Sequence, residues 1–224
     1  MITACIFDLD GVLVDTAKYH YLAWKRLADE LGFFFSEADN ERLKGVSRMA
    51  SLDILLEVGG ITHIDDKEKQ AMADKKNGWY VEYISQMTPD EILPGVLDFL
   101  EEVKGAGIKS AIGSASKNAG LILQRVGMES LFDAVIDGYK ISSAKPDPEV
   151  FLLGAQALGV PPSQCVVFED AVAGIEAAIR AGMKSVGVGN PDILHRADMN
   201  ISGFQHITWR EIDDWATTQG RPNE

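Results

Sequence analysis

The chain has 224 residues, 46% apolar and 25% charged, ordinary proportions for a globular protein with a sizeable core. Its 34 acidic and 21 basic residues leave a formal charge of −13, which repels phosphate polymers and makes nucleic acid a poor partner. A small anionic substrate stays open to it, provided a few basic residues converge on one pocket.

Cys5 and Cys165 sit in apolar runs and read as buried small hydrophobes, with no sign of a disulfide framework or a metal pair. The N-terminus has no basic start leading into an apolar core, and no run approaches the ~18 apolar residues of a membrane span. A cytoplasmic protein without membrane contact is expected.

The first predicted strand, Ala4-Cys5-Ile6-Phe7, runs into Asp8-Leu9-Asp10-Gly11. Residues i and i+2 of an extended chain project to one side, so Asp8 and Asp10 would leave the strand as neighbours. Carboxylates that close repel unless a cation neutralises them or one keeps a proton. Two readings are open here: an ordinary Asp-Gly turn, or a divalent-cation site with one carboxylate free as a nucleophile.

From 16 to 87 the pattern is helical. Tyr19, Leu22, Ala23, Leu27 and Leu31 recur at helical spacing with Gly32 as a stop, and further helices are predicted over 37–43, 49–58 and 65–86. No strand is predicted in this block, which reads as a small helical bundle.

From 92 onward helices and strands alternate. Helices are predicted over 94–106, 118–126, 148–158 and 171–181, and strands over 108–113, 134–136, 165–168 and 185–188. The strands are continuous apolar runs, as in a parallel sheet covered on both faces. The expected fold is therefore α/β, a Rossmann-like parallel-sheet core over 1–15 and 92–224. A small α-helical cap domain over 16–91 is inserted after the first strand, above the carboxyl edge where open α/β sheets bind ligands. Thr208-Trp209-Arg210-Glu211 has the capping-box spacing of a short terminal helix, and 217–224 is expected to fray.

Four strand ends carry residues suited to phosphoryl transfer: Asp8 and Asp10; Ser114-Ala115-Ser116-Lys117-Asn118; the loop Ser142-Ser143-Ala144-Lys145-Pro146; and Glu169-Asp170. Singly, each has a plain explanation, such as Ser116 or Asn118 capping a helix or Glu169-Asp170 complementing a helix dipole. Together at one sheet edge they favour a site. Asp8, Asp170 and Glu169 offer oxygen ligands to magnesium, Lys145 a point charge for a transferring phosphoryl group, and a helix N-terminus its N–H groups.

In order and spacing these four segments, Asp8 to Thr16, Ser114, Lys145-Pro146-Asp147-Pro148 and Glu169 to Gly174, resemble the motifs of the haloacid dehalogenase superfamily. The paired aspartates resemble its phosphotransferase branch. Within the cap block stand His20, between Tyr19 and Tyr21, with Trp24 one turn on, and Arg42-Leu43-Lys44-Gly45-Val46-Ser47-Arg48. A surface histidine and a solvated i,i+4 pair, Lys44 and Arg48, are one reading. Like charges at that spacing are unfavourable in a helix, however, and Gly45 suggests a loop that gathers cations around a second phosphate. The runs from Asp15 to His20 and from Leu43 to Arg48 resemble the β-phosphoglucomutase family.

That resemblance implies a Mg2+-dependent isomerase of carbohydrate metabolism, interconverting β-D-glucose 1-phosphate and D-glucose 6-phosphate, with glucose 1,6-bisphosphate as intermediate and activator. It implies Asp8 as nucleophile, passing through a phosphoaspartate, and Asp10 as general acid/base. Magnesium would sit on Asp8, Asp10 through its carbonyl, Glu169 and Asp170. Ser114, Ala115, Ser116, Asn118 and Lys145 would hold the transferring group, Lys44, Gly45, Val46, Ser47 and Arg48 the distal phosphate, and His20 and Trp24 the sugar side. A small-molecule sugar phosphate is the implied partner and a monomer the implied state. The alternatives are a magnesium-dependent sugar-phosphate phosphatase on the same scaffold, and an idle sugar-phosphate binder.

Overall fold

A computed structural model describes residues 1–43 and 46–218. Lys44 and Gly45, expected on the distal phosphate, and residues 219–224, expected to fray, lie outside the described residues. Six strands, β1 (Ala4–Phe7), β2 (Lys109–Gly113), β3 (Ala134–Ile136), β4 (Cys165–Glu169), β5 (Lys184–Val188) and β6 (Met199–Ile201), form one parallel sheet in the order β3-β2-β1-β4-β5-β6. The helices are α1 (Ala17–Leu31), α2 (Glu37–Glu41), α3 (Arg48–Val58), α4 (Asp66–Ile84), α5 (Val96–Gly105), α6 (Ala119–Val126), α7 (Glu149–Leu158), α8 (Val172–Arg180) and α9 (Trp209–Thr218). The fold is α/β with a parallel-sheet core. Among the described residues no helix is long and apolar enough to cross a membrane.

β1 is fully buried because both of its faces are covered. Ala4 and Ile6 join Phe151, Ala155 and Ala178 on one face, while Cys5 and Phe7 join Phe99, Ile122 and Phe204 on the other. Phe7 stacks on Phe168 of the neighbouring strand, with ring centroids 4.8 Å apart. This central position puts the C-terminal end of β1 between those of β2 and β4. The strand-end motifs of all three therefore meet.

α1 to α4 follow β1 directly. The chain leaves and returns over a short paired crossing: Leu93 N–H donates to Leu13 at 2.9 Å and Asp15 N–H donates to Glu91 at 2.9 Å. Above this crossing α1 packs on α4 and α4 on α3.

Several expectations need correction. β6 is absent from the predicted strands, because Met199-Asn200-Ile201 has no apolar run and is recruited by pairing with Val186–Val188. Leu22 is exposed, and the buried stripe of α1 is Ala23, Trp24, Leu27 and Ala28. α2 stops at Glu41, two residues short of its predicted end. Thr217 and Thr218 belong to α9, where the Thr218 hydroxyl donates to the Asp214 carbonyl at 2.9 Å.

Candidate active site

A cavity of about 560 Å³ opens at the carboxyl edge of the sheet, beneath α1 to α4. Its floor begins where β1 ends. Asp8 is 7% exposed, and its backbone N–H still donates to Phe168 at 2.9 Å, so the ladder carries it into place. Beyond it the chain turns through Gly11 at φ +82°. A Cβ there would overlap the Asp170 carboxylate, so glycine answers both the left-handed backbone and the close approach.

Lys145 is buried, with Nζ 2.5 Å from Asp8 Oδ1 and 2.5 Å from Glu169 Oε1. Burial opposes its charge, but the two carboxylates outweigh it and raise the ammonium's pKa, so it stays cationic. Glu169 also accepts from the Ala171 N–H at 2.8 Å; burial raises its pKa, against the pull of Lys145.

Carboxylate oxygens of Asp8, Glu169 and Asp170 lie within 4.8 Å of one another. Three acids against one lysine leave an excess of negative charge, and an all-oxygen donor set suits magnesium. Gly174 of α8 has no room for a side chain, since a Cβ would overlap the Glu169 carboxylate. The cluster is thus closely packed from below.

The Asp10 carboxylate turns away from this cluster. It accepts from the Thr16 hydroxyl and from Tyr80 OH at 3.4 Å. Its assignment as a metal ligand therefore concerns its backbone carbonyl alone. Burial first, and then the charge of Asp8, push its pKa up to about 6, while Thr16, Lys145 and Tyr80 pull the other way. A carboxyl that titrates near 6 can both give and take a proton near neutrality.

His20 stacks on Tyr80 with centroids 4.1 Å apart, and its Nδ1 lies 3.1 Å from Lys76 Nζ. Burial, then the charges of Lys76 and Arg48, hold its pKa well below the usual value, so the imidazole is neutral. While Lys76 is an ammonium it only donates, which then leaves the ring proton on Nε2, 3.9 Å from Asp10 Oδ1.

At the end of β2, Ser114 is buried and its hydroxyl accepts from Ser116 N–H at 3.1 Å. The Ser116 hydroxyl accepts from Asn118 N–H at 3.1 Å, and Ala115 lines the cavity beside them. Asn118 makes no side-chain cap; its amide donates to Asn77 of α4 at 3.1 Å and joins the sheet edge to the helices above.

Trp24 of α1, and Val46, Ser47 and Arg48 at the start of α3, also line the cavity. The Ser47 hydroxyl caps α3 by accepting from Ala50 N–H at 3.2 Å. Arg48 is the first residue of that helix, not part of a loop as expected from Gly45, and its guanidinium lies 3.8 Å from Asp74.

The most consequential residue that the sequence pattern leaves unassigned is Lys76. It is 3% exposed, with Nζ over the rings of Trp24 and Tyr80 at 4.5 and 4.7 Å. Burial, then the charge of Arg48, lower its pKa to about 7, with Asp10 opposing. A signal for it exists: Ala73, Lys76, Tyr80 and Ile84 fall on one helical stripe, and a lysine on an apolar stripe asks for a reason. Thr16, Tyr80 and Asn77 are likewise site residues without a sequence assignment.

The family model for haloacid dehalogenase-like hydrolases matches residues 2–182. The chain is 43% identical to a β-phosphoglucomutase of Bacillus subtilis over 214 residues, 95% of both chains. It is 34% identical to a phosphorylated carbohydrates phosphatase of Thermotoga maritima, over 82% of this chain and 83% of that one. The crystal structure of β-phosphoglucomutase from Clostridium difficile superposes with a TM-score of 0.92 at 43% identity, covering 97% of this chain and 98% of the other. The enzyme whose strand ends converge in this way belongs to the haloacid dehalogenase-like hydrolase family.

Proposed function

We propose that the chain is a phosphomutase that interconverts β-D-glucose 1-phosphate and D-glucose 6-phosphate through glucose 1,6-bisphosphate. The observation that carries this reading is that Asp8 and Lys145 of the sheet edge and Arg48 at the start of α3 line one and the same cavity. A second cation lining the cavity of the nucleophile, but carried by a different element, suits a substrate with a phosphate at each end. The relatives at 43% identity bear the same activity in their names.

Residues 16–91 act in this reading as a cap over the core, 1–15 and 92–224, hinged at the Leu13–Leu93 crossing. Asp8, Glu169, Asp170 and the Asp10 carbonyl would hold Mg2+, which would neutralise charge on the transferring phosphoryl group. Phosphorylated Asp8 gives its phosphoryl group to the C6 hydroxyl of β-glucose 1-phosphate. An O6–P bond forms, the Asp8–P bond breaks, and Asp10 takes the hydroxyl proton. The bisphosphate turns round; Asp8 then attacks the C1 phosphoryl group while Asp10 returns a proton to O1. Glucose 6-phosphate leaves and phosphorylated Asp8 is regenerated.

Lys145, Ser114, Ala115, Ser116 and Asn118 cradle the phosphoryl group in flight. Arg48, Ser47 and Val46 grip the distal phosphate, with Lys44 and Gly45 assigned there from sequence alone. Neutral His20, Trp24, Lys76 and Tyr80 fix the sugar side and the orientation of Asp10.

The test is an assay with β-glucose 1-phosphate, magnesium and a trace of the bisphosphate, following glucose 6-phosphate and free phosphate together. The expected result is glucose 6-phosphate as the main product and loss of turnover in Asp8→Asn. Free phosphate as the main product would instead support a sugar-phosphate phosphatase, the activity named for the relative from Thermotoga maritima.

A further inference from the structure

Among the described residues two buried side-chain atoms lack a hydrogen-bond partner, the carboxamide oxygens of Asn40 and Asn200. Asn200 sits in the β5–β6 pairing, against Gly187 and away from the cleft. Asn40 lines the cleft.

Its backbone leaves it no freedom to move aside. α2 is fixed at its start by a reciprocal bond between Ser36 and Asp39, Asn40 N–H donates to Ser36 at 3.1 Å, and its carbonyl accepts from Leu43 N–H at 3.0 Å. The residue is 8% exposed. A buried amide oxygen without a partner is costly, and such groups are rare unless a ligand completes them. The oxygen is itself out of reach of solvent, so half a turn about χ2 is what presents it, in place of the NH2, to a ligand in the cavity.

The chemistry of the cleft says what that ligand group is. Arg48 and Lys145 supply the positive charge that phosphates need, and Asp8, Glu169 and Asp170 form the acidic cluster. A neutral amide adds little for a phosphate dianion, whereas it matches a hydroxyl, which donates and accepts at once. We propose that Asn40 is a specificity residue whose carboxamide hydrogen-bonds one of the sugar ring hydroxyls that take no part in phosphoryl transfer. The inference rests on the sugar-phosphate reading above.

The test compares kcat/KM for β-glucose 1-phosphate and its 2-, 3- and 4-deoxy derivatives in wild type, Asn40→Ala and Asn40→Leu, with the thermal midpoint of each free protein. In wild type one deoxy derivative should fall about tenfold or more below the parent. In both variants the parent should fall by a similar factor, and the penalty for that one derivative should shrink to about twofold or less. Asn40→Leu should melt no lower than wild type, since no protein–protein bond is lost.

Deoxy penalties that are the same in wild type and variants would overturn the inference. So would an Asn40→Leu protein that melts several degrees lower, which would make Asn40 a structural support. A wild type that forms no glucose 6-phosphate from the parent defeats the functional reading and this inference with it. Normal turnover without the coupling defeats this inference alone.

Discussion

The ammonium of Lys76 lies 3.1 Å from Nδ1 of His20, enclosed between the rings of Trp24 and Tyr80. Without substrate this is an awkward place for a cation. Burial and Arg48 lower its pKa from 10.5 to about 7, whereas the unfolded chain keeps that proton to about pH 10. Between those limits the unfolded state binds more protons, so folding stability rises with pH across the window, and the full cost is felt below pH 7. Lys76→Met should therefore raise the thermal midpoint by about 3–6 °C at pH 7 and by little at pH 10. Turnover should fall by about 100-fold, because His20 and Asp10 lose their orientation. Differential scanning fluorimetry over that pH range, beside the activity assay, checks both; an unchanged midpoint at pH 7 would mean Lys76 is not strained.

Thr16 and Asp10 set the second expectation. The Thr16 hydroxyl stabilises the Asp10 carboxylate, against the burial and Asp8 charge that bring its pKa to about 6. Thr16→Val removes that opposing pull and should move the pKa higher. Single-turnover transfer from the phosphorylated enzyme to β-glucose 1-phosphate needs Asp10 as a carboxylate. Its acid limb should shift upward in Thr16→Val relative to wild type, with the rate recovered at higher pH. A limb that stays in place would remove Asp10 from the proton transfer.

Glycines provide a matched pair. Alanine for glycine inside a helix ordinarily stabilises by about 1 kcal/mol. A Cβ at Gly78 of α4 would meet nothing within 4 Å, so Gly78→Ala should raise the melting temperature by about 2–4 °C. At Gly174 the new methyl group would displace the Glu169 carboxylate. Gly174→Ala should melt lower than wild type and need about tenfold more magnesium for half-maximal activity. Magnesium titrations of both variants provide the comparison.

The acidic cluster itself makes a fourth expectation. Lys145 offsets only part of the charge of Asp8, Glu169 and Asp170, and a divalent cation would offset the rest. Magnesium should raise the melting temperature of wild type, and chelation should abolish turnover while leaving the fold intact by circular dichroism. In Asp170→Asn the stabilisation by magnesium should largely disappear. An Asp170→Asn protein that responds like wild type would place the ion elsewhere.

The core of this molecule is readable in the sequence for a physical reason. A buried parallel strand is an apolar run, so the polar residue that ends it, such as Asp8, Ser114 or Glu169, stands out and marks the sheet edge. The helical half of the site lacks that contrast. α4 is rich in Lys, Asp and Glu, and Lys76 is one of several lysines in it until packing shows it buried against Trp24. Asn40 likewise reads as an ordinary polar residue of a short helix. β6 escapes notice because three residues with one buried side chain carry no periodicity; only the neighbouring strand makes them a strand.

The two-phosphate cleft is tested most directly by Arg48→Ala, with glucose 6-phosphate and free phosphate followed together from β-glucose 1-phosphate in the presence of magnesium and a trace of bisphosphate. Loss of the charged contact to the distal phosphate should lower glucose 6-phosphate formation by about 10–100-fold, from a wild type that releases little free phosphate. Free phosphate as the main product of both proteins, at rates indifferent to Arg48, would contradict the account and leave a phosphatase with an unused arginine in the cavity of its nucleophile.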